Sequence, residues 1–174
     1  FSNIPIVVRP YDDFLEDNLA EYGGSIYDVH SDGSGICYST ARRPIVNMRP
    51  KHRHWVHSCP RKLSFDLYLI DWLEEKGFSY DVITDHDLHK SGHELLKDYD
   101  VVLTGSHPEY WTSSMLDGLD EFMDDGGRLM YLGGNGFYWV TAVDPHRHHI
   151  IEVRRGYAGS RPWPIRRPPC WDRV

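Results

Sequence analysis

Residues 105–111 (GSHPEYW) put an imidazole, a carboxylate and a phenol within four positions, at His107, Glu109 and Tyr110. Such a set can relay protons, or offer nitrogen and oxygen donors to a metal ion. Gly105 lets the backbone turn, and Pro108 stiffens the turn. The plain alternative is a surface loop that caps whatever helix follows it. Residues 133–136 (GGNG) form a second candidate, in which small neighbours let Asn135 stand clear of the chain. Asn135 can orient a substrate carbonyl or a water, or it can occupy the left-handed conformation of a Gly-rich connection. Residues 84–87 (TDHD) offer two carboxylates and an imidazole, either to a metal or to the cap of the following helix. His107, Glu109 and Asn135 are the candidate catalytic residues.

The 133–136 turn resembles a nucleophile elbow. Class I glutamine amidotransferases place Cys at such a turn. Asn135 cannot serve as a nucleophile, which argues against a thiol amidotransferase. Eleven His residues include two dense clusters, His52, His54 and His57, and His146, His148 and His149. Neither has the H-E-x-x-H spacing or that of a closed structural zinc site. Solvated loop histidines are the default, with another metal held by these clusters as the alternative. The acids Asp117, Asp120, Glu121, Asp124 and Asp125 read as a solvated helix face.

These loops need strands and helices to hold them. Residues 1–63 read as an irregular segment packed on the core, broken by Gly23, Gly24, Pro44, Pro50 and Pro60, with short apolar stretches at 4–8, 26–29 and 45–48 as weak strands. From Ser64, a plausible N-cap, Phe65, Leu69, Trp72 and Leu73 recur at helical spacing until Gly77. Residues 78–84 read as a strand, 92–99 as a short helix, and 100–104 (DVVLT) as a buried parallel strand. Thr112 caps a helix built on Met115, Leu116, Leu119, Phe122 and Met123, and Gly126 and Gly127 stop it. Residues 128–132, 137–140 and 149–153 extend the sheet. This alternation predicts an α/β core over 64–155, three-layered and mostly parallel. The candidate loops then follow strand carboxyl ends, where open α/β sheets bind ligands, and should converge on one edge.

Composition narrows the classes. The chain has 174 residues and a net charge of −7. Residues 1–152 carry 13 basic and 25 acidic side chains, a balance of −12; residues 153–174 carry six Arg and one acid, a balance of +5. An acidic body argues against a nucleic-acid surface. The Arg- and Pro-rich tail at 156–174 suits an acidic partner or a solvated end. No apolar run reaches the roughly 20 residues of a membrane helix. Cys37, Cys59 and Cys170 lie far apart without a CxxC, as suits a reducing cytoplasm. The chain opens on Phe1 rather than Met, as a fragment or processed piece would.

Longer segments carry a family resemblance. Residues 26–35 (IYDVHSDGSG), 47–50 (NMRP), 66–77 (DLYLIDWLEEKG), 80–89 (YDVITDHDLH), 105–111 (GSHPEYW) and 127–141 (GRLMYLGGNGFYWVT) resemble the catalytic C-terminal part of the N,N-dimethylformamidase large (beta) subunit family. The resemblance runs from about 24 to 155. It implies a glutamine-amidotransferase-like, flavodoxin-like α/β domain holding one non-haem ferric ion through two tyrosinates and a carboxylate. Carried over, Tyr110 is one ligand and Tyr68 the other. The implied reaction is hydrolysis of N,N-dimethylformamide to dimethylamine and formate, with a small partner subunit and homo-oligomerisation. The carboxylate ligand and a catalytic His are expected further on than Val174, which leaves the metal sphere of this chain incomplete. The alternatives are a non-catalytic α/β module that has lost the metal, and the His-cluster hydrolase.

Overall fold

The computed structural model describes residues 21, 30, 35–43, 45, 48, 50, 53–54, 59–60 and 63–154. Its elements are β1 (Tyr38–Thr40), β2 (Arg53–His54), β3 (Cys59–Pro60), α1 (Leu63–Lys76), α2 (Asp85–Ser91), α3 (His93–Leu96), β4 (Val101–Leu103), β5 (Tyr110–Trp111), α4 (Ser113–Asp124), β6 (Arg128–Met130), β7 (Trp139–Val143) and β8 (Ile150–Val153). They fall into two compact units, one of Phe1–Leu67 with Ala142–Val174 and one of Tyr68–Thr141. The fold is mixed α/β. β4 pairs with β6 and β5 with β7 in parallel, while β1 pairs with β8 and β2 with β3 antiparallel.

In the Tyr68–Thr141 unit, α4 explains most of the packing. Thr112 Oγ1 accepts the Met115 amide at 3.2 Å and caps the helix, as the sequence predicts. Met115, Leu119 and Phe122 lie on one face and meet Leu88, Leu96 and Trp111 in a buried core. Val102 of β4 and Leu129 of β6 pack against that core, so the parallel pair is seated on its helices. The stop is a Schellman turn. Gly126, at φ +95°, gives its amide to Met123 O, and Gly127 gives its amide to Phe122 O. A Cβ at Gly127 would sit 2.2 Å from the Phe122 ring, so only glycine leaves that ring its place. α1 ends in the same motif, with Gly77 to Glu74 O, Phe78 to Leu73 O, and the Trp72 and Phe78 rings 5.5 Å apart.

α4 also crosses the α2–α3 junction closely. A Cβ at Gly118 would lie 2.8 Å from Gly92 Cα and C and from His93 N. Ala in place of Gly normally gains about 1 kcal/mol in a helix. Here the clash is with backbone, which costs about 1–3 kcal/mol. Gly118→Ala is therefore expected to lose about 1 kcal/mol net, and a urea denaturation midpoint below that of the parent chain checks it.

Four expectations need correction. Residues 78–84 form no strand; their alternating apolar pattern reflects propensity, while a strand also needs a neighbour to ladder with. Side chains hold this segment instead, through Tyr80 Oη to Glu74 at 2.6 Å and Tyr99 Oη to Asp81 at 2.7 Å. Ser64 is no N-cap: it lies inside the first turn of α1, and its buried hydroxyl has no hydrogen-bond partner among the described residues. Residues 84–91 hold a helix, α2, nucleated by a capping box in which Thr84 Oγ1 accepts the Asp87 amide and Asp87 accepts the Thr84 amide. The strand expected at 137–140 is β7, which begins at Trp139 and pairs with β5 rather than extending the β4–β6 sheet. The stretches at 4–8 and 26–29, much of 45–48, and the tail at 156–174 lie outside the described residues.

In the other unit, β8 returns after a turn pinned by Asp144. Its buried carboxylate accepts the amides of His146 and Arg147, both at 2.9 Å, and the Arg147 guanidinium at 2.7 Å. Burial pushes the Asp144 carboxyl up, but the two amides and the guanidinium outweigh it and hold it below the ordinary 3.8. A group depressed on folding contributes stability above its unfolded value and loses it as pH falls through the folded one. Asp144→Asn is expected to lower stability at pH 7 and to flatten the acid loss below about pH 4, read from thermal midpoints across that range.

Candidate active site

The two most informative loops of the sequence do meet. Both follow the parallel β4–β6 pair, one from each strand. Thr104 N–H donates to Met130 O at 3.0 Å, and its hydroxyl accepts the Leu132 amide at 2.9 Å. Further out, the Gly134 amide reaches Ser106 O at 3.3 Å and the Phe137 amide reaches Pro108 O at 2.8 Å. Contact this close needs a residue without a side chain: a Cβ at Gly133 would lie 2.5 Å from Pro108 Cδ and 2.7 Å from Ser106 O. The loops then run into the β5–β7 pair, where Tyr110 faces Trp139 in register.

Within this edge, His107 and Glu109 form a pair, with His107 Nε2 and Glu109 Oε2 at 3.1 Å. Glu109 is buried, 8% exposed, whereas His107 is exposed at the surface. The other carboxylate oxygen, Oε1, accepts the Trp139 indole N–H at 3.0 Å. Glu109 also anchors the neighbouring strand through its carbonyl, which accepts the amides of Tyr138 and Trp139. A carboxylate–imidazole pair with the ring open to solvent is an arrangement for accepting and returning a proton.

Asn135 stands exposed at the tip of the glycine turn, in the left-handed conformation at φ +52°. Two residues on, Phe137 has φ +56°, which is strained for an aromatic residue. The strain is held by three contacts. The Tyr131 hydroxyl accepts the Gly136 amide at 2.9 Å, and the Phe137 ring meets Trp111 edge-on at 4.9 Å and Tyr131 at 5.8 Å. The turn is thus built to present Asn135 in one place.

Tyr110 is half-buried beside Glu109, on β5. Tyr68 lies on α1 and is 59% exposed. Among the described residues no group of three His, Cys, Asp or Glu side chains is placed to hold a metal ion. The 84–87 segment follows no strand, contrary to expectation, and Asp87 there serves the α2 cap. His149 Nδ1 bonds Thr40 Oγ1 at 2.8 Å and His148 Nε2 bonds Pro145 O at 2.9 Å. The side chains of His52, His54 and His57 lie outside the described residues.

These loops lie within a stretch that matches a known family. A family model described as N,N-dimethylformamidase beta subunit-like, C-terminal, matches residues 11–170. The chain belongs to this family. It is 51% identical over 149 residues to the N,N-dimethylformamidase beta subunit of Alcaligenes sp and 50% identical over 149 to that of Paracoccus aminophilus. Each alignment covers 86% of this chain but 19% of the relative's length. The family match extends past both ends of the 24–155 span, into the Arg-rich tail that the motifs alone leave out. No helix among the described residues is long and apolar enough to cross a membrane.

Two side chains that shape this edge were not singled out by sequence reasoning. Trp139 and Tyr131 read as sheet residues there. Their polar atoms matter only because the fold brings Glu109 and the Gly136 amide to them. A tryptophan just after a Gly-rich turn is the one local signal that could have suggested the first.

Proposed function

We propose that the chain is the core of a catalytic unit that hydrolyses a small N-substituted amide, N,N-dimethylformamide yielding dimethylamine and formate. The observation that carries this reading is the His107–Glu109 pair set against the Asn135 turn at one edge of parallel strands. The 51% and 50% identity to proteins named as N,N-dimethylformamidase beta subunits supports it. The name beta subunit supports another subunit as partner; the reading makes that partner small and the assembly homo-oligomeric. The reading further carries a three-layer, glutamine-amidotransferase-like sheet and a cytoplasmic setting.

A dialkylated amide nitrogen is a poor leaving group until it is protonated, so the reaction needs both a base and an acid. His107 can fill both roles in turn. It takes a proton from the attacking water as the C–O bond forms, and gives it to nitrogen as the C–N bond breaks. Glu109 holds the ring and stabilises its protonated form. Asn135 can donate its amide N–H to the carbonyl oxygen as charge builds there. The donor chemistry of Tyr110 and Tyr68 fits a ferric ion, since phenolate oxygens suit a hard cation. The residues present supply two such donors; the carboxylate would come from outside the described residues. When bound, that ion would supply Lewis acidity to polarise the carbonyl.

The test is dimethylamine release by the iron-loaded protein, with and without its partner subunit. Activity that is lost in His107→Gln supports the reading. A protein that takes up no iron and releases no amine in any combination would mark a non-catalytic module.

A further inference from the structure

We propose that Tyr131 is a further catalytic residue, whose phenol O–H donates to the substrate carbonyl oxygen beside Asn135. That the acceptor is an amide carbonyl rests on the amidase reading above; the placement of the donor does not.

Tyr131 is mounted rigidly where the parallel pair ends. It directly follows Met130, which closes β6 in register with Leu103, and it precedes Leu132, whose amide donates to Thr104 Oγ1 at 2.9 Å. Its ring lies against the glycine turn. A Cβ at Gly136 would sit 2.2 Å from Tyr131 Cε2 and 2.6 Å from Oη, so glycine at 136 admits the phenol. The Phe137 ring lies 5.8 Å away on the same turn. Yet Tyr131 is 48% exposed, which leaves this anchored ring open to an incoming molecule.

A phenol oxygen accepts hydrogen bonds and offers one hydrogen of its own. Here Oη accepts the Gly136 amide at 2.9 Å, and its own hydrogen finds no acceptor among the described residues. Accepting an N–H polarises the O–H bond and strengthens it as a donor. On the other flank of the turn, His107 Nδ1 is the nearest neighbour of a Cβ built on Gly134, at 3.9 Å. His107 and Tyr131 therefore meet the turn one residue either side of Asn135, a base at Gly134 and a donor at Gly136. Tyr131 keeps its proton throughout. It stabilises the charge that builds on the carbonyl oxygen as water adds, while His107 carries the proton from water to nitrogen.

Two readouts test this. In the iron-loaded protein with its partner subunit, Tyr131→Phe is expected to lower kcat about 100- to 1,000-fold, the loss typical of one oxyanion donor, with KM near that of the parent chain. 3-Fluorotyrosine in place of Tyr131, at a pH where its phenol stays protonated, separates donation from support of the turn. Fluorine strengthens the O–H as a donor and weakens the oxygen as an acceptor. Donation to substrate predicts a higher kcat than that of the parent chain; a merely structural bond to Gly136 predicts an equal or lower one. The second readout is the infrared carbonyl band of bound, carbon-13-labelled N,N-dimethylformamide, with and without iron, which needs no cleavage. It is expected to lie lowest with fluorotyrosine, higher in the parent chain and highest in Tyr131→Phe. A band that does not follow this order overturns the proposal whether or not amine is released. Where the parent chain releases dimethylamine, a kcat that fails to move as stated overturns it too. Should Tyr131→Phe fail to fold, fluorotyrosine decides, because it keeps the ring and the bond to Gly136. A band that follows the order while no amine is released counts against the amidase reading alone.

Discussion

With Tyr110 as a ferric ligand, as proposed above, Tyr110→Phe is expected to abolish the phenolate-to-iron absorption band of the iron-loaded protein and to weaken iron binding by at least about 100-fold. The lower bound comes from the 10–100-fold losses typical when a residue supporting a metal ligand is removed; losing a ligand itself should exceed that. The substitution removes one oxygen and keeps the ring. Its neighbours are fixed independently, Glu109 by Trp139 and His107, and Trp111 by the buried core. The backbone at 110 therefore stays paired to β7, and stability should change by no more than about 1 kcal/mol, the net worth of one hydrogen bond. Metal content and the visible spectrum read the first effect, and thermal melting reads the second. Tyr68→Phe, on an exposed stretch of α1, should likewise cost binding without costing fold. A band that survives both substitutions would remove the phenolate assignment.

Local chemistry explains which parts of this fold were legible in the sequence. The Thr112 cap, the apolar stripe of α4 and the two glycine stops depend on residues within one or two turns of each other, and all were read correctly. The parallel strands at 101–103 and 128–130 were read from their apolar runs. The loops that follow them met, as the topology predicts. Residues 78–84 misled because strand character is a property of pairs; the helix-cap alternative for 84–87 held, but the helix it starts at once, α2, was not placed. At the site, the residue types were visible and their roles were not. Nothing local distinguishes Glu109 from a solvated loop acid; its side-chain partners are residues 107 and 139, and the indole lies 30 positions away.

Trp111→Ala tests how far the core and the site depend on each other. Trp111 is 6% exposed and belongs to the cluster of Leu88, Leu96, Met115, Leu119 and Phe122. Emptying such a position costs about 3–5 kcal/mol, the transfer term plus the cavity left behind. That is a large share of the roughly 5–15 kcal/mol that holds a domain folded. The loss reaches further than the core. On one side Trp111 follows Tyr110 directly; on the other it precedes Thr112, whose hydroxyl caps α4 and meets His89 Nδ1 at 2.9 Å. Its ring supports Phe137, whose left-handed backbone would otherwise relax. Removing the indole should therefore release the Asn135 turn as well as soften the helix start. Trp111→Phe keeps an aromatic edge for Phe137 and should recover most of the stability. The measurement is a denaturant midpoint together with proteolysis at residues 133–137. If Trp111→Ala loses about 3–5 kcal/mol while the turn stays as resistant as in the parent chain, the core holds the helices alone and the turn is held by Tyr131 and Pro108. If both give way together, one indole joins the packing of the helices to the presentation of the site.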